Sequence, residues 1–469
     1  MSSSINALKD YAVEAEQTDA SNVIPRSMMP SRIGRPVQAT KSIKNIGAVS
    51  GSTATSGQLS LFQLPYGAGA GFMKPGSAYV RFRYAGTQSA DSHGFAGSVP
   101  TAQSLIQRLT ISQNNNIEMI NEYGKLVSNV IYPFMTSADY LNNLAITEGS
   151  MGQNSAISFP YSTGATALIS GQFNAQDARY TFSAGQVGGI TSNPIELSVS
   201  LASGLINNKE LSFIPLELMS SPLTIQIDWA NINNALYALT TAPTEFTVSN
   251  VSLVYESVNP PLEYVNTLRA GLASGKVFSI PYTTVVSAQT ANAPTVSYNM
   301  SINSSSVESL YYFATQSFNQ GNSTLKSKYA SCSTGATVSA DFTTMNRRLY
   351  ADGNLVASMP SINSDTLLFR ELLRAVEGGF AGTDVATTVP FSNVGLDARN
   401  PQSFKSQYYV GGFNLRNFNE AGLCMEGTPV SLLNLQKDDY AGADGILYMY
   451  AFVSQILLLD ASGSLSIVR

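Results

Sequence analysis

Ionised side chains are scarce in this chain of 469 residues. Only 12% are Asp, Glu, Lys or Arg, against about 25% in an ordinary soluble domain. Histidine and tryptophan occur once each, as His93 and Trp229, and cysteine twice, as Cys332 and Cys424. The formal net charge of -5 lends no support to a chain whose whole surface binds nucleic acid. Two cysteines without metal-ligand spacing make no disulfide framework, so they predict buried free thiols in a reduced, intracellular compartment. Phosphate loops are missing as well: no Gly-Lys-Ser/Thr signature occurs, and the glycines of residues 67–71 have the wrong spacing for a dinucleotide site. The first residues carry Lys9, Asp10, Glu14 and Glu16 and so lack the apolar core of a signal peptide. The longest apolar run, residues 446–459, is too short for a bilayer span and reads as one or two buried strands. Asn250, Asn299, Asn303 and Asn322 stand in glycosylation-type triplets, read as chance in so Asn- and Ser-rich a chain.

In place of charge the chain carries Ser, Thr, Asn, Gln and Gly, interleaved with Val, Ile, Leu, Phe and Tyr. Neutral polar side chains are desolvated at far lower cost than ionised ones. This composition points to a self-associating structural protein and away from an enzyme. The 23 Tyr and 21 Phe belong to cores and subunit contacts.

Residues 59–64, 78–84, 105–111, 195–201, 223–229 and 246–255 are strand candidates. In the second of these, Val80, Phe82 and Tyr84 alternate with Arg81 and Arg83, the period of a half-buried strand. Helices are few. Residues 4–16 and 138–144 have helical spacing, and 366–376 form a better candidate, with Asp365 as cap and Leu368, Leu372 and Ala375 on one face. Gly/Ser/Thr-rich residues 149–192 and 291–339 read as long loops. Asn259-Pro260-Pro261 breaks the chain into halves of similar length. The segment 219–227, built around Pro222, is echoed by 425–433 around Pro429, which implies a duplicated β-rich unit. Many strands with long irregular loops fit a jelly roll. The fold class expected is therefore all-β: two consecutive eight-stranded antiparallel jelly-roll sandwiches, short helices in loops, and an extended N-terminal arm. The divisions read from sequence are 1–55 for helix and arm, 56–258 for the first sandwich, 259–267 for a linker and 268–469 for the second. In the arm, Arg26, Arg32, Arg35, Lys41 and Lys44 occur among Pro25, Pro30 and Pro36 with no acidic residue between them. They are the assembly residues expected of it.

Ser-Leu-Ile-Gln-Arg-Leu-Thr-Ile over residues 104–111, followed by Ile-Glu-Met-Ile-Asn-Glu-Tyr-Gly-Lys-Leu over 117–126, resembles the early strand pair of a double-jelly-roll major capsid protein. Residues 213–227, 248–258 and 459–469 resemble the approach to the penultimate strand of the first domain, its closing strand, and the C-terminal strand and tail. Such proteins build the shells of tailless icosahedral double-stranded DNA viruses, among them virophages, polinton-like viruses, adenoviruses and tectiviruses. The resemblance implies a homotrimer whose six jelly rolls form a pseudo-hexagonal tile, located in the virion capsid and assembled inside the host cell. Its implied partners are neighbouring capsomers, minor capsid or vertex proteins, and an internal membrane or the genome beneath the arm. It implies no cofactor, no metal, no small-molecule substrate and no catalytic residue.

Two other readings compete. A two-domain carbohydrate-binding or carbohydrate-active β-sandwich would draw paired carboxylates from Glu256 and Glu263. A jelly-roll capsid subunit of an RNA virus would carry a more basic tail. The remaining chemistry is bland: His93 lies in a polar stretch and reads as a loop residue, and Asp438, Asp439 and Asp444 read as a solvated turn and not as a calcium loop.

Overall fold

The computed structural model describes residues 39–87, 93–97, 101–136, 147–149, 194–207, 212–238, 245–291, 295–302, 306–316, 345–351, 353–355, 362, 364–376, 410–416, 431–439 and 445–468. In the first half the strands are β1 (Thr40–Gly47), β2 (Thr53–Thr55), β3 (Leu59–Gln63), β4 (Phe72–Met73), β5 (Tyr79–Thr87), β6 (His93–Phe95), β7 (Ile106–Gln113), β8 (Asn115–Asn121), β9 (Ile195–Ser200), β10 (Thr224–Trp229), β11 (Leu236–Ala238) and β12 (Glu245–Asn259). Helix α1 (Leu262–Ala273) follows. The second half carries β13 (Phe278–Ala291), β14 (Thr295–Ile302), β15 (Val307–Gln316), β16 (Met345–Ala351), β17 (Asn354–Leu355), helix α2 (Asp365–Val376), β18 (Gly411–Asn414), β19 (Ser431–Asp439), β20 (Gly445–Leu459) and β21 (Leu465–Val468).

One main sheet of the first half runs β1-β12-β5-β9 and the other β3-β10-β7-β8; in the second half they run β13-β20-β15-β18 and β14-β19-β16-β17. When the eight strands of these two paths are numbered along the chain in each half, both halves read 1-8-3-6 and 2-7-4-5. Two all-antiparallel jelly rolls of identical topology therefore follow one another. Pro222 and Pro429 each stand two residues before the seventh strand of their half, so the echo between residues 219–227 and 425–433 marks equivalent positions.

Side-chain alternation builds the sandwiches. Val80, Phe82 and Tyr84 are buried while Arg81 and Arg83 face out, as the period of two requires. From the facing sheet Ile225, Ile227 and Trp229 point inward. Phe82 meets Trp229 edge-on at 5.3 Å between ring centroids, and the indole Nε1 donates to Ser60 Oγ at 2.9 Å, which satisfies the one polar atom the ring brings into the core. All residues from Leu447 to Val453 of β20 are buried, because one face packs in its own sandwich and the other meets the first half.

Four sequence expectations need correction. The N-terminal helix and basic arm are expected over 1–55, yet Thr40–Gly47 is a strand, paired in register with β12 from Thr40↔Asn259 to Gly47↔Ser252, and Thr53–Thr55 pairs with β12 as well. The alternation of β1 is masked because Ile43 is 71% exposed on an edge strand and Ile46 is its only other large apolar residue. The linker read at 259–267 overlaps α1, which starts immediately after Pro261; proline preceding a helix is pre-set in φ and lacks the N–H that would be orphaned there. The loop read at 291–339 contains β14 and β15. The small polar residues of Thr-Val-Ser-Tyr-Asn-Met-Ser-Ile conceal a strand that buries Met300 and Ile302. Asp438 and Asp439 belong to β19, opposite Asn346 and Met345, and so are not a turn.

Helix α2 matches its expected apolar face, with Leu368, Leu372 and Ala375 buried, but it begins at Asp365, and Ser364 Oγ accepts from the Leu367 N–H at 3.3 Å. The helical candidates at 4–16 and 138–144 lie outside the described residues, apart from which Tyr123–Leu126, Val127–Ile131 and Tyr132–Met135 form an unforeseen helical run. Every residue of that run is buried, so no amphipathic period announces it.

Candidate functional site: the seam between the sandwiches

Among the described residues, the only candidate site residues singled out in sequence that the structure brings together are Lys41 and Glu256. Arg26, Arg32 and Arg35 lie outside the described residues, as do Cys332, Cys424 and Asp444. Lys41 and Lys44 stand on β1, where Lys41 Nζ pairs with Glu256 at 2.9 Å and Lys74 Nζ pairs with the same carboxylate oxygen at 2.8 Å. Hydrogen bonds from Lys74 and Lys41 hold the Glu256 carboxyl below its ordinary pKa, the opposite of what a general acid needs. Glu263 is exposed in the first turn of α1. The glycosidase pair is thus removed by the ion pairs of one member. His93 lies in β6, its backbone opposite Ala238. Gly69 and Gly71 donate their N–H groups to Glu217 Oε2 at 2.7 and 3.1 Å, which makes their segment a pinned turn.

What the fold does assemble is a continuous seam between the two jelly rolls, made of residues that sequence separation hides. Near one end, Gln113 Nε2 donates to Ser221 O at 3.1 Å and to Gly463 O at 3.3 Å, while Gln113 Oε1 accepts from the Leu465 N–H at 2.7 Å. Ser220 N–H also donates to Gly463 O, at 3.0 Å. The clasp is aimed by a turn in which the Asp460 carboxylate accepts from the N–H groups of Ser462 and Ser464. At mid-height Tyr282 Oη of β13 donates to Ile117 O of β8 at 3.0 Å. Beside it, Glu118 accepts from Ser203 Oγ and from Gly204 N–H at 2.9 Å. This fixes the segment 203–205 against β13, where a Cβ on Gly204 would stand 1.6 Å from Thr283 O. Towards the other end, Lys125 Nζ pairs with Glu122 at 2.5 Å and donates to Tyr448 Oη at 2.9 Å, and Tyr450 Oη donates to Glu122 O at 3.2 Å.

One buried carboxyl, Glu118, stands at this seam, and a second, Glu148, lies inside the first sandwich among Gln103, Tyr132 and Ser200. Burial pushes Glu118 up to about 7, against the hydrogen bonds from Ser203, Gly204 and Leu205. Burial likewise pushes Glu148 up to about 7, although Tyr132 Oη donates to it at 2.8 Å and the Ser200 N–H at 3.0 Å. A folded-state pKa above the unfolded value near 4.5 means that the stabilisation is complete below pH 4.5 and lost as pH rises through about 7. Each group then costs on the order of 3 kcal/mol at pH 8 relative to pH 4. Melting curves should show wild-type Tm falling between pH 5 and 8, and the double variant E118Q/E148Q should flatten that fall. An equally steep fall in the variant would assign the pH dependence to other groups.

Among the described residues, the seam brings no reacting pair together. It makes two sandwiches into one plate, joined by hydrogen bonds at three heights and by close backbone approach. No protein-family model matches the chain, and no curated protein matches it. Solved structures do. The PBCV-1 virus capsid protein superposes with a TM-score of 0.55 at 10% identity, covering 93% of this chain and 98% of that one. The Sputnik virophage structure gives 0.54 at 13% identity, over 92% and 89%. The Faustovirus major capsid protein gives 0.53 at 9% identity, over 95% and 96%. The chain therefore has the double-jelly-roll fold of these viral capsid proteins.

Proposed function

We propose that this protein is the major capsid protein of an icosahedral double-stranded DNA virus, assembled as homotrimeric, pseudo-hexagonal capsomers. The observation that carries this reading is the duplication itself: two sandwiches of identical topology fixed side by side along one seam. A tile made of three such chains has six nearly equivalent sandwiches, the geometry needed to pack with six neighbours. The low charge serves the same end, since Ser-, Thr- and Asn-rich faces can be buried between copies without stranding ions.

On this reading the partners are two further copies of the chain, neighbouring capsomers, and minor or vertex proteins. Arg26, Arg32, Arg35 and Lys44 face those partners, an inner membrane or the genome; Lys41 has a ligand within its own chain in Glu256. The virion shell is the location, and assembly takes place in the host cell. Electron cryo-microscopy of particles from cells producing the chain tests the proposal. Tiles with six density lobes per trimer support it, and a chain that stays monomeric and forms no particle overturns it.

A further inference from the structure

We propose that the outer face of β1, β2 and β12, on the first sandwich, is a docking surface for the second sandwich of another copy of this chain. Resting on the homotrimer reading, this gives the copies the surface through which they meet. The seam supplies the pattern. Within the chain, β8, the helical run that follows it and the segment 203–205 lie against β13 and β20 of the second sandwich: Lys125 Nζ donates to Tyr448 Oη, Tyr450 Oη donates to Glu122 O, and Gly204 closes on Thr283 O. In chain order β8 is the fifth of the eight main strands of its sandwich, and β13 and β20 are the first and eighth of theirs. The seam thus joins two different parts of one repeated fold, which makes it a heterologous contact.

The duplication leaves a free counterpart of each side. β1 and β12 are the first and eighth strands of the first sandwich; β17, followed by α2, repeats in the second sandwich the place of β8 and its helical run. The ladders agree step for step. They open at Thr40↔Asn259 and Phe278↔Leu459, each on a closing strand of 15 residues, so the pair Asn45↔Val254 stands where Thr283↔Ser454 stands. Asn45 therefore holds the position at which the segment around Gly204 closes the seam. Asn45, Gly47 and Thr53 are exposed, and Leu355 of β17 is 39% exposed. Each copy thus carries both sides of a contact that it has used once, and a heterologous contact repeated from copy to copy closes into a ring when its rotation allows. Three chains place six sandwiches in that ring.

The composition of the face suits a copy. Asn45, Gly47, Thr53, Ser249 and Ser252 alternate along their strands with core residues such as Ala54, Val248 and Leu253, and none of the five carries a charge. At its border Lys41 and Arg81 have carboxylate partners within the chain, Glu256 and Glu196. Covering such a surface with protein strands no ion. By the same register Gly47↔Ser252 stands where Val285↔Phe452 stands. The seam made during folding is aromatic, and the one made between folded copies is small and polar, as expected of a surface that meets water first.

Photo-crosslinking of the full chain tests this, with p-benzoylphenylalanine in place of Asn45 and peptide mapping of the products. Cross-links should join two copies and capture peptides from residues 352–376 or 415–430 of the second sandwich. In mass photometry, N45R and T53R should each weaken association of the copies at least about 10-fold, the cost of covering one unpaired cation, with the Tm of the dissociated chain unchanged. Q63R, on the outer face of the opposite sheet, should associate as the wild type does. Cross-links that reach only first-sandwich peptides, or trimers unmoved by both N45R and T53R, would overturn this surface and leave the homotrimer standing. A wild-type chain that stays monomeric at every concentration would overturn both.

Discussion

G204A should prevent the two sandwiches from closing on each other and cost well over 3 kcal/mol, enough to leave much of the protein aggregated on expression. The added methyl has no room: its position lies 1.6 Å from Thr283 O and 2.6 Å from Thr283 C, both backbone atoms of β13, which is held in register along β20 from Phe278 to Ala291. Relief requires β13 and the segment around Gly204 to separate, which also breaks the Glu118 hydrogen bonds to Ser203 and Gly204 and leaves a buried carboxyl without its donors. G271A is the matching control. On α1 its methyl would meet only Lys276 Cδ, at 3.8 Å, and replacing glycine within a helix favours the fold by up to about 1 kcal/mol. Scanning calorimetry should separate the two variants by many degrees. Equal melting temperatures would mean that the halves do not approach as closely as the seam requires.

Two truncations that differ by nine residues should differ sharply. Removal of residues 1–38 leaves every described strand in place, so capsomer melting should match the full chain, while shell yield should fall with the loss of Arg26, Arg32 and Arg35. Removal of residues 1–47 takes β1 as well. That deletes the eight-residue pairing with β12 and the Lys41 contact to Glu256, and it opens a long edge to pairing between molecules. A loss on the order of 4 kcal/mol follows if only some of the ladder bonds contribute about 1 kcal/mol each. Identical melting of both truncations would contradict the role given to β1, and an early fall in the shorter truncation would place the preceding arm inside the capsomer.

The fold was legible wherever one face of a strand is wet and the other dry. The run from Val80 to Tyr84 announces its strand, and the paired Pro222 and Pro429 segments announce the duplication. Legibility failed where that contrast is missing. Residues 123–135 are buried all round, β1 is exposed on much of both faces, and β14 is written largely in Ser, Thr and Asn. The seam was hidden for another reason. Gln113 and Gly463 meet across 350 positions of sequence, and Lys125 meets Tyr448 across 323; no local spacing encodes such pairs. Glu256 and Glu263, the carboxylates that sequence offers as a pair, stand on either side of Pro260 and Pro261, whereas the perturbed ones, Glu118 and Glu148, sit in unremarkable strand and loop sequence and are raised by burial.

The central claim is that two equivalent sandwiches, locked along one seam, form one third of a shell tile. Electron cryo-microscopy of particles purified from producing cells measures this most directly. The account predicts trimeric tiles near three times 50.0 kDa, each with six lobes of sandwich size arranged as a pseudo-hexagon. Particles whose tiles contain three lobes, or a purified chain that stays a monomer at every concentration and builds no particle, would contradict it.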